Sequence, residues 1–158
     1  MSILNQKGDF KMNIDYEINC DTLAIIAENG FSKVIEREKS LIVMSTPFQV
    51  MEHSCRYFGS SYNGREIGTK DLTGMDYKVP ICVSDNMIFF PTCSPRDVNC
   101  CFLAFDKILK LENLHCNQTR VWFDNKTSVV IPISCRILNN QLLRSFRLFY
   151  IMKTHKNV

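Results

Sequence analysis

The sequence lacks any apolar run long enough to cross a membrane. A spanning helix needs about 18 or more consecutive apolar residues, whereas the clusters at 23–27, 100–105 and 148–152 are much shorter. The N-terminal residues also lack the basic stretch and apolar core of a secretory signal. These two absences predict a cytoplasmic protein.

Glycine and proline are scarce, at 6 and 5 of 158 residues. Collagen-like and linker-like chains are therefore excluded. Hydrophobic residues make up 46% of the chain and charged residues 22%, which favours a folded protein over a disordered one. Because two separate cores would each be small at this length, we expect one domain over 1–158, with a flexible N-terminus at 1–13 and a frayed tail at 154–158.

Cysteine is plentiful, but its spacing does not match the common metal sites. Zinc sites usually take two closely spaced ligand pairs, and the sequence has no Cys-x-x-Cys pair. Zinc is the less favoured alternative, and its nearest candidates are Cys93, Cys100, Cys101, His115 and Cys116. We expect reduced thiols that pack like small apolar side chains, with neither a metal nor another cofactor.

Groups able to carry catalysis are few. The chain has three histidines, and although His53 and Cys55 are near neighbours, a thiol nucleophile also needs a base in reach and an orienting group. Residues 59–64 repeat the glycine spacing of a phosphate-binding P-loop, but Arg and Glu follow where that loop needs Lys and then Ser or Thr. We therefore predict that the protein is not an enzyme.

The hydrophobic periodicity is mainly that of β-strands. Residues 31–35 and 40–44 flank a charged tip and predict one hairpin, and residues 79–83 and 87–90 predict a second. Residues 124–126 predict a tight turn. Further strand patterns lie at 16–27, 102–114, 119–123 and 128–133.

Two segments predict helices. Residues 47–57 begin after Thr46, a suitable N-cap, with Pro47 at the first helical position. Residues 136–153 place several apolar side chains on one side of a helical wheel and basic ones on the other. The order of elements predicts an α+β fold, with a mostly antiparallel β-sheet and two helices at about 47–57 and 136–153.

Residues 54–69 are the least ordinary stretch of the chain. They contain three of its six glycines, two arginines and three aromatic residues. Glycine permits a positive φ and a close approach of backbone to a ligand, while arginine supplies charge and a planar hydrogen-bonding head. This composition suits a bend that brings cations and main-chain donors to the phosphates of DNA. An ordinary turn, whose aromatic residues join the core, is the alternative that composition leaves open.

Two groups of residues form the candidate DNA-binding surface. In the 54–69 stretch, hydroxyl groups suit phosphate oxygens, arginines suit phosphate or a narrow minor groove, and aromatic rings suit wedging or stacking. Residues 136–158 contain five Lys or Arg residues and no acid, which indicates either a functional patch or a solvated face. The candidates are Arg56, Tyr57, Ser60, Ser61, Tyr62, Gly64, Arg65, Thr69, Arg144 and Arg147.

The same stretch resembles the ComK family of competence transcription factors from Gram-positive bacteria. The resemblance rests on residues 54–62, on Gly64-Arg65 and on Gly68-Thr69, and the matches are collinear over most of residues 16–147. Further similarity lies at 80–81, 88–92, 121–123, 132–134 and 140–141. The block at 54–69 is specific enough to make chance a poor explanation.

The resemblance implies a function and a set of partners. Family members are sequence-specific DNA-binding activators of late competence genes, which serve DNA uptake and recombination. They recognise A/T-rich promoter boxes in double-stranded DNA through the minor groove and act as oligomers on paired sites. The resemblance therefore implies a homo-oligomer, with RNA polymerase and a full-length relative as further partners.

The C-terminal end departs from the longer members of the family. Those members continue beyond the last helix, whereas this sequence ends at Val158. The chain therefore resembles a C-terminally short member. This departure keeps a second function open, that of a non-activating interaction protein that modulates a full-length relative.

Overall fold

The computed structural model describes residues 8–11 and 15–155, and within them the chain forms two β-sheets and three α-helices. The large sheet contains β1 (Gly8–Lys11), β2 (Thr22–Glu28), β3 (Phe31–Glu36), β4 (Ser40–Val43), β5 (Ile81–Ser84), β6 (Met87–Pro91) and β7 (Phe102–Ala104). The small sheet contains β8 (Ile108–Asn113), β9 (Thr119–Phe123) and β10 (Ser128–Ile131). The helices are α1 (Pro47–Tyr57), α2 (Tyr62–Thr73) and α3 (Cys135–His155).

The strand order confirms an α+β fold with mostly antiparallel pairing. The order is β1-β4-β3-β2-β7-β6-β5 in the large sheet and β10-β9-β8 in the small sheet. Neighbouring strands are antiparallel, except that β1 runs parallel to β4. The strands are thus divided between two sheets, where the sequence pattern suggested one.

The two predicted hairpins are present. In the first, β3 pairs with β4 and Val34 lies opposite Leu41, and in the second β5 pairs with β6. The predicted strand at 102–114 is interrupted, because Phe105–Lys107 forms a 3₁₀ turn. This turn carries the chain from β7 in the large sheet to β8 in the small sheet.

Helix α1 occupies the predicted range. The Thr46 hydroxyl accepts the Gln49 N–H at 3.3 Å, and the Gln49 side chain accepts the Thr46 N–H at 2.9 Å. This reciprocal capping box satisfies two donors at the start of the helix. Helix α3 extends slightly beyond its predicted range at both ends.

Helix α2 corrects the prediction of two helices. The 54–69 stretch was expected to bend as a loop, but Tyr62–Thr73 is helical. Each interior glycine, Gly64 and Gly68, costs a helix roughly 0.5–1 kcal/mol relative to alanine, which hides the helix from propensity arguments. Its ends are well defined, because Ser61 caps the first turn and Gly74 ends the helix with a φ of +76°.

The predictions for the two termini fall largely outside the described residues. Within the expected flexible N-terminus at 1–13, residues 8–11 form β1, and 1–7 and 12–13 are not described. Within the expected frayed tail, residues 154–155 belong to α3, and 156–158 are not described.

The large sheet is buried on both faces. Phe89 and Phe102 point into a cluster that includes buried residues of α1 and α2. Their strand neighbours, Phe90 and Leu103, point into a second cluster shared with α3 and the small sheet. Because successive side chains on a strand face opposite sides, the sheet separates these two clusters, while α2 and α3 meet each other beside the edge strand β5.

An ion pair links the two sheets at the surface. The guanidinium of Arg37, in the β3–β4 tip, donates two hydrogen bonds to Asp124 in the β9–β10 turn. The Asn125 amide also donates to the Arg37 carbonyl at 3.0 Å. Hydrogen bonding from Arg37 holds the pKa of the Asp124 carboxyl below its ordinary value.

The thiols are reduced and mostly sheltered. All eight cysteines lie within 15–155 as free thiols, and four of them are buried. In the described part of the chain, His, Cys, Asp and Glu side chains form no group of three or more suited to a metal ion. None of the described helices combines the length and the apolar character that crossing a bilayer requires.

Candidate nucleic-acid interface

A short turn at residues 58–61 joins α1 to α2. Gly59 has a φ of +87°, a left-handed conformation that other residues adopt only at a cost. The Ser60 N–H donates to a carbonyl in the last turn of α1 at 2.9 Å. The Ser61 hydroxyl then accepts the Gly64 N–H at 2.9 Å and caps α2. The expected bend is therefore confined to a few residues, and the remainder of the glycine-rich block is helical.

Glu52 ties the two helices together at this turn. One of its carboxylate oxygens accepts from Nε of Arg56 at 2.9 Å, and the other accepts the Tyr62 N–H at 2.7 Å. A carboxylate at the first turn of a helix is favourable, because it satisfies a free N–H and faces the positive end of the helix dipole. Arg56 is held in place from its own helix, yet its side chain stays 72% exposed.

Tyr57 supplies the exposed aromatic ring of the block. The residue is 65% exposed, and its ring meets Phe58 edge-on at 5.0 Å between centroids. Arg56 and Tyr57 are consecutive, so a cation and an aromatic ring emerge together at the C-terminal end of α1. That combination suits contact with phosphate and base edges.

A groove of about 260 Å³ lies between α2 and α3. Four of the ten predicted residues line it, namely Ser60, Gly64, Arg65 and Thr69, and Leu148 lies on the α3 side. Sequence reasoning placed these four in one functional block, and the fold brings them to one groove beside the turn.

Arg65 has no hydrogen bond or ion pair to the described residues, and its Nε is buried without a partner. An unpaired buried donor costs about 1–3 kcal/mol. Its neighbour Glu66 pairs with Arg96 at 3.8 Å. Burial raises the pKa of the nearby Cys55 thiol to about 12, and the positive charge of Arg65 only partly offsets this. Among the described residues, Arg65 is therefore a cation without a counter-charge.

Two of the predicted residues have buried side chains. Tyr62 is 1% exposed and packs against Phe48 at 4.7 Å and Phe102 at 6.1 Å between ring centroids. Burial also raises the pKa of its phenol. Thr69 is 4% exposed, and its carbonyl accepts the Thr73 hydroxyl at 2.7 Å. The Tyr62 ring and the two rings beside it form an aromatic platform at the start of α2.

Arg96 was not among the sequence candidates, yet it braces this platform. Its guanidinium lies 5.0 Å from the Phe48 ring centroid and 5.7 Å from that of Tyr62. Such cation–π contacts are worth about 0.5–1 kcal/mol at exposed sites. Residues 93–100 carry no strand or helix pattern, so no sequence signal located the loop against α1 and α2.

The two C-terminal arginine candidates have different surroundings. Arg144 donates to the carbonyls of Lys78 and Tyr77 at 3.1 and 2.6 Å and to the Gln141 side chain at 2.6 Å. Burial lowers its pKa. Arg147 is exposed and makes no polar contact with the residues described. Arg144 thus fastens α3 to the segment after α2, whereas Arg147 projects a free charge.

A match to a known protein family shows which family the chain belongs to. Residues 13–157 match the ComK protein family. The chain belongs to the ComK family. This membership confirms the resemblance read from the sequence, and the match includes both the α1–α2 turn and α3.

One related protein aligns with most of the chain. The competence transcription factor of Bacillus subtilis (strain 168) is 34% identical over 148 residues, which is 90% of this chain and 77% of that protein. No solved structure matches the chain. That relative is a transcription factor, and the absence of enzymatic activity in this chain stays a prediction.

Proposed function

We propose that this ComK-family chain regulates transcription of late competence genes in the cytoplasm by binding double-stranded DNA at A/T-rich promoter boxes. The observation that carries the proposal is the match to a competence transcription factor over 90% of the chain. The exposed Arg56 and Tyr57 beside the α1–α2 turn support a DNA-binding role for that match.

The proposed contact surface centres on the turn. Arg56 and Tyr57 supply an exposed cation and an exposed ring. Ser60 and Ser61 supply polar groups of the turn. Arg65 supplies a cation that has no partner among the described residues. A-tracts have a narrow, strongly negative minor groove that attracts arginine. Minor-groove contact by these arginines therefore fits the preference for A/T-rich boxes.

The remaining predicted residues take different roles in the proposal. Tyr62 and Thr69 support the surface from below, and Gly64 keeps the backbone of α2 close to the groove. Arg147 reaches phosphate as an exposed cation, while Arg144 maintains the fold around it. A homo-oligomer on paired boxes, RNA polymerase and a full-length relative are the further partners that we propose.

A duplex titration tests the proposal. Fluorescence anisotropy would compare a labelled A/T-box duplex with a scrambled duplex of equal composition at fixed salt, because phosphate contacts alone respond to salt rather than to sequence. We expect tighter binding to the A/T box. Arg65→Ala should weaken that binding by about 1–3 kcal/mol.

A matched control variant distinguishes a specific contact near the turn from a general effect of surface charge on DNA binding. Lys110→Ala removes an exposed cation from the small sheet and should leave the preference for the A/T box unchanged. Equal affinity for both duplexes would contradict sequence-specific binding. Unchanged affinity in Arg65→Ala would remove the role proposed for that residue.

A further inference from the structure

The outer face of α3 carries three large apolar side chains in solvent. Leu143, Phe146 and Tyr150 are 59%, 56% and 69% exposed. At about 100° per residue they fall within an arc of roughly 60°, and at 1.5 Å per residue the stripe is about 10 Å long. We name these three residues the α3 stripe. Exposed large apolar groups gathered in one place mark an interaction surface.

An apolar groove of about 450 Å³ borders the α3 stripe. Phe105, Ile108, Phe146 and Phe149 line it, and the rings of Phe105 and Phe146 meet edge-on at 5.2 Å between centroids. A helix stripe beside an aromatic groove offers the shape into which an amphipathic helix packs its apolar side.

The charged side chains that α3 itself carries around the stripe have one sign. Arg136, Arg147 and Lys153 flank it along the exposed side of the helix, and α3 contains no Asp or Glu. Lys153 also lines the groove, where its ammonium donates to Asn86 at 2.8 Å. The acid at the groove, Asp106, is already paired with a lysine at 3.4 Å. Charge complementarity therefore calls for an acidic occupant.

Three other occupants fit this surface less well. The residues outside the described ranges, 1–7, 12–14 and 156–158, contain no acid. A second copy pairing α3 with α3 would set Arg136, Arg147 and Lys153 against the same cations. DNA would meet the cations, but protein–DNA interfaces are polar, whereas the centre of this one is apolar and aromatic, as in protein–protein interfaces.

We propose that the α3 stripe and its groove bind an acidic amphipathic helix of a protein partner. The apolar side of that helix packs on Leu143, Phe146 and Tyr150, and its carboxylates face Arg136, Arg147 and Lys153. This interaction is separate from the α1–α2 turn, shares Arg147 with the DNA surface proposed above, and goes beyond that DNA binding.

A peptide titration with the full chain tests the proposal. The probe is a labelled synthetic helix with Leu at every third or fourth position and Glu elsewhere, followed by anisotropy. The double variant Leu143→Ser with Tyr150→Ser should weaken binding at least about ten-fold, since a few anchor residues carry most of the binding energy of an interface. Both positions are exposed, and circular dichroism would verify that the variant is folded.

Matched controls separate this site from general attraction. Leu109→Ser removes a side chain that is 62% exposed on the small sheet and should leave peptide affinity unchanged. A scrambled peptide of the same composition, and one with Lys for Glu, should bind at least about ten-fold more weakly. Equal affinity for the scrambled peptide, or no effect of the double variant, would overturn the proposal.

The alternative occupants are also outcomes of the test. If an A/T-rich duplex displaced the peptide from the wild-type chain and lost affinity in the double variant, the occupant would be DNA and the proposal would fail. If sedimentation velocity showed self-association that the double variant abolished, the occupant would be a second copy. Unchanged duplex binding and unchanged sedimentation in the double variant would support the acidic partner.

Discussion

Helices α2 and α3 each present an arginine that the sequence marks as a DNA contact, but the two guanidinium groups have opposite surroundings. Arg65 on α2 has no protein partner among the described residues, and its Nε is buried. Arg144 on α3 donates to two main-chain carbonyls and to Gln141. The contrast shows that two arginines with the same sequence-based role can differ in whether the fold already uses their hydrogen bonds.

The two helices also differ in what stabilises them. Helix α3 buries Leu138 and Leu148 in the core, so tertiary packing holds it in place. Helix α2 buries mainly Tyr62 and two threonines, and its ends rest on a serine cap, the Glu52 carboxylate and a left-handed glycine. Helix α2 is therefore the more sensitive of the two to changes at its ends.

The largest expected effect is a difference in stability between variants of the two arginines. Arg144→Ala should lower the free energy of unfolding by about 2 kcal/mol, because hydrogen bonds from a charged group to protein acceptors are lost. Arg65→Ala should leave it unchanged or raise it, since no hydrogen bond is removed and a buried unpaired donor is relieved. Urea unfolding of both variants measures the difference. An equal loss in the two would break the contrast.

The next effect concerns the helix caps. Ser61→Ala should destabilise the protein by about 1 kcal/mol and speed amide hydrogen exchange in the first turn of α2. Its matched control is Ser134→Ala at the start of α3, where the cap bond to the Ile137 N–H is longer, at 3.3 Å. A larger loss at Ser134 than at Ser61 would contradict the dependence of α2 on its cap.

A smaller effect of opposite sign is expected inside α2. A Cβ added at Gly68 meets no atom within 4 Å, so Gly68→Ala should raise the free energy of unfolding by about 0.5–1 kcal/mol. Gly59→Ala is the control and should lower it, because a φ of +87° strains alanine. Thermal unfolding of the two variants would show shifts in opposite directions; a fall in both would mean that Gly68 is needed for packing.

The smallest expected effect is a difference in reactivity between two cysteines. Burial raises the pKa of the Cys55 thiol, in α1, to about 12. Almost no Cys55 is therefore in the thiolate form at pH 8. Cys135, the first residue of α3, is only half-buried. Iodoacetamide labelling followed by peptide mass spectrometry should therefore modify Cys135 well before Cys55. Equal rates would mean that the α1–α2 layer opens readily.

The sequence predicts the elements whose signals are local. The capping box and proline of α1, the apolar side of α3 and the two hairpins all follow from spacing within a few residues. Helix α2 escaped prediction because Gly64 and Gly68 weaken its pattern, although Ser61 and Gly74 marked its ends. The division of the strands between two sheets also escaped it, since the 3₁₀ turn at Phe105–Lys107 has no strong signature.

The candidate surface was predictable as a stretch of chain but not residue by residue. Composition identified 54–69, and the family match confirmed the resemblance that the stretch carries. Whether a side chain faces solvent depends on long-range packing, which is why the inward position of Tyr62 and the bracing role of Arg96 were invisible. The same reason explains why Arg144 and Arg147 looked equivalent.

The ion pair between the β3–β4 tip and the β9–β10 turn bears on the order of folding. Arg37 and Asp124 are 87 positions apart along the chain. Bringing them together costs the conformational entropy of closing a long loop, which forming either hairpin alone does not require. Contacts of such long range tend to form after local ones. Removing this ion pair should therefore hasten unfolding while leaving the refolding rate almost unchanged.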